Sequence, residues 1–419
     1  MKILLSAFAC NPVTGSDAHF GWSAAKALAQ LGEVHVLTHG FSRKYISSAD
    51  GSALKGVKFH FLGTPPDERN RHAILTRLLS WRGCMAWHRR LALPYAENLH
   101  KREKFDVAHH VTISSWRLPS PLWRLNIPLI WGPLGGGEEI PGKFLTTLSP
   151  AARAFEVFRR LTSWWAGGSQ DLHDCARHAA ISLAANAETA VLLQKLGASR
   201  VEVLSPAFFS DEAISRLTSR LLEKTYTGAL EIFAGGGLEG RKGVYLALHA
   251  LAELKKEGLR FRYRLGGHGA EEKSLRRLPH ELGLSPDEVV FSPGYSGSDY
   301  EKVLHEAHIY LLPSLRENAG LTMMEAMLSG AVPVVAKLGG PGEIVTAQSG
   351  FALPPSNPGS LIKQIQAVIR LLDGQRDLCQ TLGLAASSRI ANSYSAEAYL
   401  NAIRRIHSGL KPGALRDSL

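Results

Sequence analysis

The feature that most constrains this chain is a pattern that occurs twice: a short, largely apolar run, a glycine-bearing turn, then apolar residues at helical spacing. The first copy runs from Lys2 to Ala9, through a Pro/Gly turn, into AHFGWSAAKALAQL. The second is ALEIFAGGG followed by a helix near Val244 to Lys256. An apolar run without alternation reads as a strand buried on both faces, as in a parallel sheet covered by helices. Strand, turn and helix in succession open a doubly wound α/β fold. Further short runs follow at EVHVLT, VKFHFL, DVAHHVT, IPLIWG and HAAISL, and after the restart at RFRYRLGG, EVVFSPG, HIYLLPS and VPVVA. The chain has 419 residues, whereas one core usually holds about 100 to 200. Two lobes are therefore expected, over residues 1–205 and 206–392, with 393–419 as a closing helix that returns to the first lobe and a frayed tail. Two such lobes facing each other would form a cleft, with ligand at the carboxyl ends of the strands. No short-period repeat or low-complexity tract competes with this division.

Hydrophobic residues at 45% and charged residues at 20% describe a globular chain rather than a disordered or disulfide-stapled one. The formal charge of +11 sits mainly in the first half, where 24 Lys+Arg face 15 Asp+Glu, against 24 and 22 in the second. That imbalance calls for an anionic partner: nucleic acid, a membrane surface or a phosphorylated substrate. Cys10, Cys84, Cys175 and Cys379 are far apart and lack zinc-ligand spacing, so neither a metal nor a disulfide framework is expected. No apolar run reaches the roughly 18 to 20 residues that span a bilayer. The start, MKILLSAFAC, has too short an apolar run for a secretion signal and reads as a buried first strand, hence a cytoplasmic chain.

The most informative segment is HIYLLPSLRENAGLTMMEAMLSGAVPVV. A strand ends near Leu312, a loop carries Glu317, and a helix from about Gly320 to Ser329 carries Glu325. Both carboxylates can then approach a ligand above the helix N-terminus, where backbone amides favour phosphate and carboxylates accept hydrogen bonds from sugar hydroxyls. The plain alternative is a helix-capping charge and a solvated one. Two glutamates eight apart within PSxxExxGLxxxEAMxxGxPVV resemble the signature of retaining glycosyltransferases of family 4, which have the GT-B fold of two Rossmann-like domains. GGGLEGRKG resembles that family's diphosphate-binding turn, with Lys242 and Gly243 in the matching places, and RLGGHGAEEKSL its second glycine turn at Gly266, Gly267 and Gly269. VVFSPGYSGSDYEKVLHEAHIYLLPS resembles the stretch that passes the nucleotide base, and LGGPGEIV the loop after VPVV. In the first half, CNPVTGSDAHFGW resembles a GSE-type loop containing Gly15 and Ser16, and IWGPLGGGE a later strand and turn.

The resemblance implies transfer of a sugar from a nucleotide-diphosphate donor to an acceptor hydroxyl with retention of configuration, without a cofactor. Glu317 with the amides of Asn318, Ala319 and Gly320 would hold the donor sugar, Glu325 the ribose, and Arg241 and Lys242 the diphosphate. No Asp-x-Asp pair is present, so these cations would take the place of a metal. Two positions depart from the family. Gly237 stands where it has an arginine, leaving Arg241 to compensate, and Trp131, Gly132 and Pro133 stand where many relatives place a histidine. His110 and Glu138, taken to follow strand ends, are the candidates for the acceptor side, and Gly135, Gly136 and Gly137 for a loop that closely approaches substrate.

Residues 69–104 hold nine Lys+Arg against two acidic residues, interleaved with Ile74, Leu75, Leu78, Leu79, Trp81, Met85, Trp87 and Leu91. This basic amphipathic stretch, and FEVFRRLTSWW from Phe155 to Trp165, are candidates for docking on an anionic membrane that presents a lipid-linked saccharide, as in assembly of a bacterial surface polysaccharide. The alternative is a pair of helices packed on the first lobe. No nucleic-acid module is recognised. Two further readings stand beside the transferase: a sugar-nucleotide isomerase or phosphorylase on the same fold, and a catalytically silent subunit that binds a nucleotide sugar or polysaccharide.

Overall fold

The structure, a computed structural model, describes residues 1–13, 17–47, 55–63 and 83–410. The chain divides into two units, each with a parallel sheet. In the first, β1 (Lys2–Ala7), β2 (Glu33–His39), β3 (Val57–Leu62), β4 (Val107–Thr112), β5 (Leu129–Leu134), β6 (Ile181–Ala184) and β7 (Val201–Val203) lie in the order β3-β2-β1-β4-β5-β6-β7. Ile3, Leu4 and Leu5 are wholly buried, which is why β1 carries no polar alternation.

The second unit contains β8 (Leu230–Gly235), β9 (Phe261–Gly266), β10 (Val289–Ser292), β11 (Ile309–Leu311), β12 (Val332–Ala336) and β13 (Phe351–Leu353), in the order β10-β9-β8-β11-β12-β13. Chain direction across this sheet reverses between β8 and β11, and at such a switch point the loops after neighbouring strands part and leave a crevice. The helix Val244–Lys256 buries Val244, Leu246, Ala247, Leu248, Ala250, Leu251, Ala252 and Leu254, so it is apolar over most of its surface. Each unit has its own core, centred on Trp131, Leu4 and Leu129 in the first and on Phe233, Tyr263 and Leu311 in the second. These are the doubly wound parallel-sheet units expected from the glycine-turn pattern.

The first unit comprises Met1–Gly137, Ser163–Pro206 and Tyr399–Leu419, and the second Glu138–Thr162 and Ala207–Ala398. Residues 138–162, which the sequence division puts in the first lobe, thus group with the second. Ile140, Phe144 and Leu148 join its core, and Glu156 pairs with Arg316. Within the first unit the last helix is held by Phe20 against Tyr399, Arg405 on Glu202 (2.7 Å) and His407 Nε2 2.8 Å from His109 Nε2.

Among the described residues no helix is long and apolar enough to cross a membrane. Of the basic segment, residues 69–82 lie outside the described residues, Ile74, Leu75, Leu78, Leu79 and Trp81 included. Trp87 is core rather than surface, its indole nitrogen donating to the Leu62 carbonyl at 2.9 Å. The indole both fills space beside Phe8 and satisfies its N–H, a better outcome for a large amphipathic ring than exposure.

Lys224 is buried in the second unit, donating to the carbonyls of Ser329 (2.7 Å) and Leu304 (3.4 Å) at the ends of two helices. Burial brings its amine down to about 7. In the unfolded chain the amine keeps its ordinary value near 10.5, so between these two values unfolding takes up a proton and stability rises with pH. Lys224→Met removes this pH dependence. In paired melts, the parent is expected to gain stability relative to the variant as pH rises from about 7 to about 10; a constant difference would mean that the buried amine stays charged.

Candidate active site

The loops after β8, β9 and β11 carry the residues singled out in the second half. Beyond the strands, the first two loops remain joined: Gly236 N–H donates to Gly266 O at 2.9 Å, Leu238 N–H to His268 O at 2.9 Å and Glu271 N–H to Leu238 O at 3.0 Å. Gly267 has φ +135°, and a β-carbon there would lie 2.0 Å from Gly236 O; at Gly269 it would lie 2.2 Å from Leu238 O. Gly267 and Gly269 therefore let one turn lie directly against the other, which shapes the loop that carries the cations, whereas a β-carbon on Gly266 would meet the Tyr295 ring at 2.8 Å.

That loop ends in a single tight turn, Gly240–Lys242, and Leu315 N–H donates to Arg241 O at 2.7 Å, tying it to the loop after β11. This tie sets Lys242 Nζ on the Glu317 carboxylate, with Arg241 Nη1 3.6 Å from the same oxygen. Arg241 is fixed further by Glu239 (2.6 Å) and by the Arg316 carbonyl (3.0 Å). Lys242 and Glu317 side chains are only 11% and 15% exposed, so water screens the group little. Glu317, Lys242 and Arg241, spread over 77 positions of sequence, thus form one charge cluster.

Asn318 and Ala319 lead to Gly320, which takes φ +76° and caps the helix Leu321–Leu328. A left-handed residue there lets the chain turn sharply into the helix, whose first N–H groups have no intrahelical partner and carry partial positive charge. Glu325 lies on this helix and accepts a hydrogen bond from the Tyr300 hydroxyl at 2.5 Å. Burial raises its carboxyl above the ordinary value, partly offset by that bond, while burial and the Glu325 charge push the Tyr300 phenol far up. Tyr300 was not singled out in the sequence, although it lies in the stretch resembling the base-side segment.

A second missed group backs the cluster. Arg316 pairs with Glu156 at 2.7 Å; Glu156 also meets Arg159 at 2.9 Å, and Arg159 donates to Glu138 O at 3.1 Å. Burial alone would push the Glu156 carboxyl up, but Arg316 and Arg159 outweigh it and hold it below the usual range. Burial lowers the Arg316 guanidinium. The pairing of Glu156 with Arg316, 160 residues away, and with Arg159 makes these buried charges tolerable. Glu138 is buried in this second unit, and its Cγ lies 3.4 Å from where a β-carbon on Gly339 would sit, while that β-carbon would be 2.1 Å from Glu317 O. The loops bearing Glu138 and Glu317 are therefore neighbours.

In the first unit, Gly135 N–H donates to Ser114 O at 2.9 Å, Gly136 O accepts from the Trp116 indole at 2.9 Å, and Gly137 N–H donates to Thr189 Oγ1 at 3.2 Å. What crowds these glycines is the protein's own chain. His110 lies within β4 rather than after it and is wholly buried. Burial and the adjacent His88 ring hold its imidazole down to about 3, so it is a neutral core histidine. The apolar run DVAHHVT itself extends to Thr112, so His110 lies two residues inside the strand end and not beyond it. Gly15 and Ser16 lie outside the described residues. Among the described residues one group could offer three metal-ligand atoms, Glu33, His35 and Glu103. It lies at the opposite, amino end of β2, with Lys58 on Glu33 and Lys2 on Glu103.

Residues 223–383 match the family model described as glycosyl transferases group 1, a span that contains all the donor-side candidates. A provisionally named colanic acid biosynthesis glycosyltransferase, WcaL of Escherichia coli (strain K12), is 33% identical over 188 residues, covering 43% of this chain and 45% of that protein. The chain spans less than half the length of such curated relatives. Among solved structures, sucrose-phosphate synthase of Thermosynechococcus elongatus superposes with TM-score 0.65 at 16% identity, covering 97% of this chain and 98% of that one. Alr3699/HepE of Anabaena in complex with UDP superposes with TM-score 0.64 at 18% identity, covering 98% and 100%. At these identities the likeness establishes the fold, which is of the GT-B type.

Proposed function

We propose that the chain is a retaining glycosyltransferase that moves a sugar from a nucleotide-diphosphate donor to an acceptor hydroxyl, in the assembly of a bacterial surface polysaccharide or glycolipid. The observation that carries this reading is the cluster of Lys242, Arg241 and Glu317 beside the helix bearing Glu325, at the carboxyl ends of β8 and β11. Its position within the stretch matching the group 1 family supports it, as does the fold shared with a UDP-bound protein.

The chemistry follows from charge. As the sugar–phosphate bond breaks, negative charge grows on the leaving diphosphate. Lys242, Arg241 and the amides ahead of Leu321 are already oriented when that charge appears, and preorganised donors lower such a barrier without reorganising during the step. Glu317 holds Lys242 in place, and with donor bound its carboxylate accepts hydrogen bonds from sugar hydroxyls. Glu325 accepts from the ribose hydroxyls, with Tyr300 keeping its carboxylate in position. These cations do the work a divalent metal would otherwise do. Donor binding belongs to the second unit and acceptor binding to the first.

The excess of positive charge in the first half supports a peripheral site of action, at the cytoplasmic face of an anionic membrane through the segment 69–104. Incubating the protein with a panel of nucleotide-diphosphate sugars and a lipid-linked saccharide tests the reading. Transfer with retained configuration is the expected product. An altered free nucleotide sugar, or binding without turnover, would replace the transferase by the isomerase or the silent subunit.

A further inference from the structure

The helix Pro150–Gly167 is turned inside out. Its inward positions are Glu156, Arg159 and Ala166, whereas Phe155, Val157, Phe158, Leu161, Trp164 and Trp165 face solvent. Trp164 is 81% exposed, Trp165 71% and Leu161 60%. Phe158, Leu161 and Trp165 follow at spacings of three and four, so they share one face. Helices of water-soluble proteins bury their apolar face. Here the inward orientation is fixed by polar groups: Glu156 bonds Arg316 and Arg159, and Ser163 accepts from Arg117 at 3.0 Å. The helix cannot roll its aromatic residues inward without breaking those pairs, and a contiguous exposed apolar face of this kind marks an interaction surface.

The charges around this face identify its occupant. The one carboxylate of the helix, Glu156, is buried, while Arg153 is exposed, as is Lys143 on the preceding turn. Arg160 is partly exposed and lies 3.7 Å from Glu139, the exposed acidic neighbour. A second copy of the chain would bring like charges together across a self-contact. An anionic lipid surface instead receives cations at its headgroups and Trp, Phe and Leu at the acyl boundary. We propose that the outward face of Pro150–Gly167, centred on Phe158, Leu161 and Trp165, is a second element, beside the segment 69–104, that docks this protein on an anionic bilayer. This deepens the membrane part of the function proposed above and leaves the donor chemistry separate from it.

The test is co-sedimentation of the full chain with phosphatidylcholine vesicles with and without phosphatidylglycerol. Binding to the anionic vesicles is expected, weakened by salt and reduced about tenfold or more in the Phe158→Ser, Trp165→Ser double variant. Trp164→Ser alone, at the most exposed of these positions, is a second and milder variant expected to lower binding in the same direction. Val191→Ser, at an exposed apolar position on another helix, is expected to bind as the parent does. Donor turnover without vesicles should stay at the parent level in all three variants, which separates a failure of docking from a failure of the transferase reading. Absence of binding, or equal binding by parent and helix variants, would overturn the proposal. So would loss of self-association in the double variant, measured by light scattering without lipid, since that would make the occupant a second copy.

Discussion

Lys242→Ala is expected to lower sugar transfer by about 10²- to 10³-fold, the usual consequence of removing one preorganised group that faces developing charge. The loss should fall on kcat more than on KM, because the amine's attraction to the diphosphate strengthens as the leaving group gains charge. Arg241, 3.6 Å from Glu317 and fixed by Glu239 and the Arg316 carbonyl, remains in the variant and limits the loss. The fold should survive, since removal of a partly buried hydrogen-bonded pair costs about 1–3 kcal/mol. Steady-state kinetics well below the melting temperature separates the two effects. A folded Lys242→Ala protein with the parent's turnover would remove the lysine from the mechanism.

The second large effect is on folding rather than chemistry. Gly267→Ala would place a methyl group 2.0 Å from the Gly236 carbonyl oxygen at a backbone with φ +135°. Neither partner can yield cheaply, because Gly236 is itself joined to Gly266 by a ladder bond of 2.9 Å. Backbone strain and overpacking each cost about 1–3 kcal/mol, so a loss of about 3 kcal/mol or more is expected, measured by chemical denaturation. The turn bearing Lys242 would shift with it, and donor affinity should fall as well. A variant as stable as the parent would mean that the two turns are not held together as described.

What could be read from the sequence, and what could not, divides along a physical line. The strands β1 and β8 were legible because a short, largely apolar run leads into a glycine turn, a signal local to a few residues that a single charge, Glu231 in β8, does not erase. The meeting of Lys242 with Glu317 was anticipated only through resemblance, because 75 residues separate them and no periodicity encodes that contact. The orientation of helices was not legible. Helical spacing reveals that Trp87 and Trp165 lie on apolar stripes, but not that one stripe turns inward and the other outward. That choice is made by partners distant in sequence: Leu62 for Trp87, and Arg316 for the Glu156 side of the helix carrying Trp165. The grouping of residues 138–162 with the second unit had the same cause. His110 shows the limit near strand ends: it lies two residues inside β4, and the neighbour that packs on it, His88, is 22 positions away and invisible to the local pattern.

The central claim is that one crevice of the second unit grips an activated sugar by its diphosphate and ribose. A thermal-shift panel would select the nucleotide-diphosphate sugar that stabilises the protein most, and a crystal structure with that compound bound is the most direct measurement. The expected result is a diphosphate against Lys242, Arg241 and the amides preceding Leu321, with ribose hydroxyls on Glu325 and the sugar on Glu317. A diphosphate bound elsewhere, with Lys242 still facing only Glu317, would contradict it.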